Sequence, residues 1–245
     1  MPRLKPDEAH GSALVLGASR GIGRAISERL LQDGYRVIGA ARSMDRTPID
    51  HPRFTPHVLD LADTATLPDE LKRLQRAQPG IEQLICCAGR GHFGALEEFS
   101  YQQIRSLMDL NFLSHAYAAK TFLPLMKQRG QGHLVFIGSE AALVGKKRGA
   151  IYCASKFALR GLAQALREEC AGSGVKVTLI NPGMVRTGFF DGLEIAPGEQ
   201  DDHAILPEEV AATVAWVLAG RAGTVIDEIN LSPQQHQIKF AKQSK

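Results

Sequence analysis

Tyr152 and Lys156 stand four residues apart in the run Tyr152-Cys153-Ala154-Ser155-Lys156, and in a helix that spacing puts both side chains on one face. A phenol beside an ammonium can move a proton. Free tyrosine titrates near about 10, so work near neutrality needs roughly 3–4 kcal/mol of preferential stabilisation of the tyrosinate, much of which a neighbouring cation can supply. Ser139, at the end of an apolar run, adds a hydroxyl that can donate to and orient a substrate oxygen. Such a trio suits the interconversion of an alcohol and a carbonyl, provided something else carries the hydride. Alone, the Tyr/Lys spacing is a weak signal, because helices often carry a tyrosine and a surface lysine one turn apart.

A hydride carrier has a candidate seat. The apolar run 12–17 leads into Gly17-Ala18-Ser19-Arg20-Gly21-Ile22-Gly23 and then directly into a helical pattern. Gly17 and Gly21 would let the backbone turn and approach a pyrophosphate. Gly23 would let helix and strand pack closely, and the helix N-terminus offers free N–H groups. The spacing G-x-x-x-G-x-G departs from the commoner G-x-G-x-x-G, and an ordinary glycine turn is the plain alternative. The second strand ends at Ala40-Ala41, where an NAD site would place an acid on the ribose, and Arg42 follows. Arg20 and Arg42 could converge on a 2′-phosphate, which favours NADP(H) over NAD(H). Two solvated surface arginines are the bland reading.

These residues need a frame. Short apolar runs at 12–17, 36–41, 54–59, 83–88, 133–138, 175–180 and 224–230 alternate with helix-period segments near 22–32, 66–77, 101–128, 151–171 and 207–219. That alternation predicts a Rossmann-like α/β fold, a doubly wound seven-stranded parallel sheet with helices on both faces in three layers. Ile22, Ile26 and Leu30 share one face of the first helix and Gly34 stops it. The 101–128 segment reads as two helices or as one bent at Pro124. Residues 187–206 show no regular period and read as a functional loop, mobile until a cofactor binds. Phe189 and Phe190 there, with His92 and Phe93, either line an apolar pocket or pack on the core. The chain divides into a frayed tail 1–10, one domain 11–232 and a C-terminal tail 233–245.

Taken together, the glycine loop 17–23, Ser139, Tyr152/Lys156 and the run Asn181-Pro182-Gly183-Met184-Val185-Arg186-Thr187 resemble the classical short-chain dehydrogenases/reductases, NADP-preferring type. The likeness spans residues 12 to about 230. It implies a cytoplasmic NAD(P) oxidoreductase that forms a homodimer or homotetramer. It makes Asn111 the fourth catalytic residue, holding a water that links Lys156 to solvent, and lets Lys156 also hold the ribose. It implies adenine contacts at Asp60 and Leu61, backbone contacts to the ribose at Ala88 and Gly89, and a nicotinamide-holding segment at Pro182, Gly183, Val185 and Thr187. Where the family's fourth strand ends in Asn-Asn-Ala-Gly, this chain reads Cys86-Cys87-Ala88-Gly89. A bracing amide is lost there, and the two thiols read as packing residues rather than redox ones.

Composition narrows the field. With 245 residues, 44% of them hydrophobic, the chain can bury a sizeable core, and 29 basic residues against 26 acidic ones leave no footprint for nucleic acid. No apolar stretch approaches a membrane span. Four cysteines show no metal-ligand spacing, so no metal is expected, and they suit a reducing cytoplasm. A small-molecule substrate remains. Two alternatives differ in kind. One is an idle NADP(H)-sensing protein, disfavoured by the intact catalytic set. The other is a nucleotide-sugar epimerase or dehydratase, for which a second domain has no room. His115 and Tyr117 read as a subunit contact or as buried residues of the monomer.

Overall fold

The computed structural model describes residues 11–44 and 48–240; the expected tail 1–10 lies outside them. Seven strands form one parallel sheet. β1 (Ser12–Leu16) sits near the centre, β2 (Arg36–Ala41) and β3 (Phe54–Val58) continue to one side, and β4 (Ile81–Cys86), β5 (Gly132–Ile137), β6 (Val175–Pro182) and β8 (Glu228–Leu231) to the other. The order β3-β2-β1-β4-β5-β6-β8 reverses direction between β1 and β4. At such a switch point the loops leaving adjacent strand ends diverge and open a crevice.

Both sheet faces are covered, which explains the nearly continuous apolar strands. Side chains alternate across the pleat, so Leu14 and Leu16 join one core cluster while Ala13 and Val15 join the other. The first cluster takes Leu67 and Leu71 from α2 (Leu67–Ala77), Phe122 and Met126 from α4 (Ser114–Arg129), and Leu159 and Ala163 from α5 (Ala150–Cys170). The second takes Ile26 and Leu30 from α1 (Gly21–Gln32) and Val210 and Val214 from α6 (Pro207–Leu218). Each fully buried aliphatic side chain of this kind contributes about 1.5–3 kcal/mol. α1 ends as its glycine dictates: Gly34 adopts φ 93° and its N–H reaches Leu31 O at 3.1 Å.

Of the two readings of 101–128 the two-helix one holds, and two other expectations change. The 101–128 segment is α3 (Tyr101–Met108) and α4 joined by a π turn over Asp109–Leu113, and Pro124 does not break α4. Pro124 and Lys120, the residue four back, both lie on the exposed side, where a lost backbone bond costs least. The fourth strand ends at Cys86, so Cys87, Ala88 and Gly89 lie beyond it. The second change concerns the loop and the C-terminal tail. β7 (Ile195–Pro197) pairs antiparallel with β9 (Ile238–Phe240), so the loop does join a ladder and residues 238–240 are not a free tail. Gly198 N–H donates to Gln237 O at 2.9 Å, Gln235 bonds Asp202, and Lys239 pairs with Glu199. Among the described residues no helix is long and apolar enough to cross a membrane.

Candidate active site

The glycine loop has the predicted form. Gly17 adopts φ 91° and Gly21 φ 55°, and a Cβ on Gly23 would lie 2.1 Å from Gly17 O, so a side chain there cannot coexist with the turn. A Cβ on Gly17 would meet the Ala88 backbone at 2.8 Å, which brings the ends of β1 and β4 together. α1 begins without a side-chain cap and without an acid in its first turn, so its N-terminal N–H groups and partial positive charge stay available to an anion. Ser19 and Ile22 are partly buried in the loop.

Arg20 and Arg42 are both exposed beside the glycine loop and the end of β2. Arg20 Nη1 lies 3.8 Å from where a Cβ on Gly188 would stand, so this guanidinium leans toward the segment after β6. Arg42 is exposed at the end of β2, on the other side of β1. Asp60 is exposed, with Oδ1 accepting from Ala62 N–H at 2.9 Å, and Leu61 is buried.

Ser139, Tyr152 and Lys156 meet at the C-terminal ends of β5 and β6. Ser139 caps the 3-10 turn Glu140–Ala142, its Oγ accepting from Ala141 N–H at 3.1 Å, and it is hydrogen-bonded to the Tyr152 phenol. Lys156 Nζ stands 6.0 Å from the Tyr152 ring centroid and donates to Ile137 O at 3.1 Å. The amine is buried and is in no ion pair among the described residues. The sign of the phenol's shift reverses the expectation. Burial pushes Tyr152 up to about 12, outweighing the Ser139 hydrogen bond that draws it down. Burial also pushes Lys156 down to about 8, opposed by Cys87. Desolvation dominates both groups, and Phe93 and Phe189 pack against the phenol.

Asn111 lies in the π turn, fully buried. Its Oδ1 accepts from Arg90 N–H at 3.0 Å, and its Nδ2 donates to Arg90 O at 3.0 Å and Ser155 Oγ at 3.2 Å. The side chain therefore braces the loop after β4 against α5. A Cβ on Gly89 would lie 3.4 Å from Asn111 Oδ1 and 3.7 Å from Lys156 Nζ, so these residues adjoin. On the far side, Pro182 ends β6 buried, Gly183 N–H donates to Leu231 O at 2.8 Å, and Val185 bridges Ile205. Thr187 caps the turn Gly188–Phe190, and its Cγ2 would lie 3.3 Å from a Cβ on Gly21. The segment after β6 thus closes onto the glycine loop.

One contributor was given no role by the sequence reading. Asn181 is fully buried, accepts from Ser139 N–H at 3.3 Å, and donates to Glu228 Oε1 at 2.9 Å and Asn230 Oδ1 at 3.0 Å. A polar residue ending an apolar strand was the available signal. His115, of the two readings left open, is fully buried in the monomer, with Nε2 2.8 Å from Ala88 O. It braces the turn beside which Cys86 and Cys87 replace the expected amides. Burial raises both thiols, Cys87 to about 12, which removes nucleophilic character and suits packing. Phe93 and Phe189 flank Tyr152 at ring-centroid distances of 5.2 and 6.0 Å, and Phe189 stacks edge-on against Phe190 at 5.1 Å. Phe93 and Phe189 therefore pack against Tyr152 and its neighbours Ala141 and Cys153, while His92 packs edge-on against Phe99.

Residues 12–196 match the family model described as short chain dehydrogenase. An uncharacterized oxidoreductase of Staphylococcus aureus (strain MRSA252) is 29% identical over 228 residues, covering 90% of this chain and 96% of that protein. The alcohol dehydrogenase of the archaeon Thermococcus sibiricus, solved complexed with 5-hydroxy-NADP, superposes with a TM-score of 0.82 at 28% identity, over 92% of this chain and 98% of its own. A metagenomic short-chain oxidoreductase in complex with NADP gives 0.77 at 28% identity, over 92% and 97%.

Proposed function

The chain belongs to the short-chain dehydrogenase family of oxidoreductases, and from that premise we propose that it interconverts a small alcohol and its carbonyl with NADP(H) in preference to NAD(H). The observation that carries the reading is the meeting of Ser139, Tyr152 and Lys156 at the strand ends, with the amine in no ion pair among the described residues.

A dinucleotide fits the residues present. The glycine cradle that a Cβ would fill and the uncapped start of α1 suit a pyrophosphate held by Gly17, Ser19, Arg20, Gly21, Ile22 and Gly23. Asp60 and Leu61 would hold the adenine, Ala88, Gly89, Tyr152 and Lys156 the nicotinamide ribose, and Pro182, Gly183, Val185 and Thr187 the carboxamide. Arg42, with no carboxylate at the end of β2, supports the NADP(H) preference, as do the dinucleotides in the two solved neighbours. The bound nicotinamide would supply or accept the hydride.

The remaining chemistry belongs to the chain. Ser139, its Oγ held by Ala141 N–H, directs its proton at the substrate oxygen. Tyr152 gives that oxygen a proton in reduction and takes it back in oxidation. Lys156 favours the phenolate by its charge, and Asn111, which adjoins Gly89 as Lys156 does, would hold the water that links the amine to solvent in the proton relay. Phe93 and Phe189 exclude water. By the same resemblance the protein works in the cytoplasm as a homodimer or homotetramer, which light scattering on the purified chain would test.

The functional test follows NADPH absorbance with a panel of aldehydes, ketones and β-keto acids. Loss of absorbance with at least one carbonyl, and slower loss with NADH, is the expected result. Tight NADPH binding with no turnover across the panel would instead identify a sensor.

A further inference from the structure

We propose that Glu140 makes this site selective for substrates whose alcohol or carbonyl lies a few bonds from a cationic nitrogen, that is, amino alcohols and amino ketones. The inference rests on the oxidoreductase reading and narrows it. Glu140 follows Ser139 directly and opens the 3-10 turn Glu140–Ala142. The same Ala141 N–H bond that fixes Ser139 Oγ fixes this turn, so the carboxylate is placed relative to the group that orients the substrate oxygen. It points to the end of β6, where a Cβ on Gly183 would lie 3.2 Å from Oε2. Its charge also reaches the phenol, opposing ionisation of Tyr152. Glu140 therefore stands at the rim of the site, between the proton donor and Gly183.

No committed partner neutralises it. Among the described residues its one ion-pair contact is His236, with Nδ1 3.9 Å from Oε2, beyond hydrogen-bond range, and that histidine is 60% exposed. Arg148, in the loop that follows the turn, is already shared by Glu98 and Glu194. The Glu140 side chain is only 28% exposed, so it is partly stripped of water with its negative charge uncompensated. An ammonium would restore the balance.

The aromatic rings against Tyr152 suit the same guest. Phe93 and Phe189 converge over Gly91, where a Cβ would meet them at 2.8 and 2.9 Å, and both flank Tyr152. Phenyl faces attract a cation, and by excluding water they strengthen the carboxylate's pull. A substrate bearing a carboxylate at that position would be repelled.

The test uses two methyl ketones of one shape. One carries a trimethylammonium group three carbons from the carbonyl, and in the other a tert-butyl group replaces it. kcat/KM with NADPH is measured for both, in wild type, Glu140→Gln and His236→Ala, and the ratio of the two is taken within each protein. Any general effect of a substitution on folding or on Tyr152 acidity cancels in that ratio. Wild type is expected to prefer the cation by about tenfold, Glu140→Gln to bring the ratio near unity, and His236→Ala to leave or increase it. A wild-type ratio near unity, or a preference that survives Glu140→Gln, overturns the proposal. So does a collapse in His236→Ala, which would make the carboxylate a tie for the C-terminal segment. Turnover of the neutral ketone without preference sinks this inference alone, whereas no turnover of any carbonyl sinks the oxidoreductase reading with it.

Discussion

Lys156 keeps its ammonium in the interior with one carbonyl for company, a placement that weakens the fold in favour of chemistry. Its folded value of about 8 lies below the ordinary 10.5, so between those pH values the unfolded chain binds the extra proton. Stability must therefore rise with pH through that window, by at most about 1.4 kcal/mol per pH unit, while below about 8 the full penalty applies. Lys156→Met should remove the trend: urea midpoints at pH 7 should exceed those of wild type, the gap should narrow by pH 10, and turnover should be lost. A variant less stable than wild type at pH 7 would show that the amine supports the fold. At Tyr152 the side-chain types were legible in the sequence and the direction of the shift was not. Desolvation there comes from Phe93 and Phe189, which reach the phenol from loops far apart in the chain.

Elements place these residues, and the glycine loop shows how strictly. Gly23→Ala would drive a methyl into Gly17 O. The turn must then shift, costing about 1–3 kcal/mol and the anion cradle with it. NADPH fluorescence titration should show binding weakened at least tenfold, with a lowered melting temperature. Gly161 in α5 is the control, since nothing lies within 4 Å of a Cβ there. Gly161→Ala should raise stability by about 0.5–1 kcal/mol and leave NADPH binding unchanged. If both variants bound NADPH as wild type does, the loop would not be the dinucleotide seat. This loop could be read in advance because strand, glycines and helix are adjacent in sequence. The π turn at Asp109–Leu113 could not, because one extra residue in a turn barely disturbs the helical period of the flanking apolar positions. Asn111 was assigned by resemblance, and its bonds to Arg90 and Ser155 emerge only from folding.

At the scale of the whole molecule, the chain's two least regular segments secure each other. β7 and β9 are three residues each and lie some forty residues apart, too short and too distant for periodicity to reveal. Their pairing holds the loop that carries Phe189 and Phe190 beside Tyr152. Truncation after Gln234 should speed hydrogen exchange at residues 195–198 by about tenfold or more, leave the sheet amides protected, and raise KM for the carbonyl more than it lowers kcat. Unchanged exchange in the loop would mean that the strap contributes no order. The sheet, the glycine turn and the closed loop converge on one event, transfer of a proton between Tyr152 and a substrate oxygen. Stopped-flow hydride transfer from NADPH to an accepted ketone, in wild type and Tyr152→Phe, tests that event directly. The variant should bind NADPH as wild type does and transfer hydride at least about a thousandfold more slowly. Transfer at the wild-type rate would contradict the role given to Tyr152.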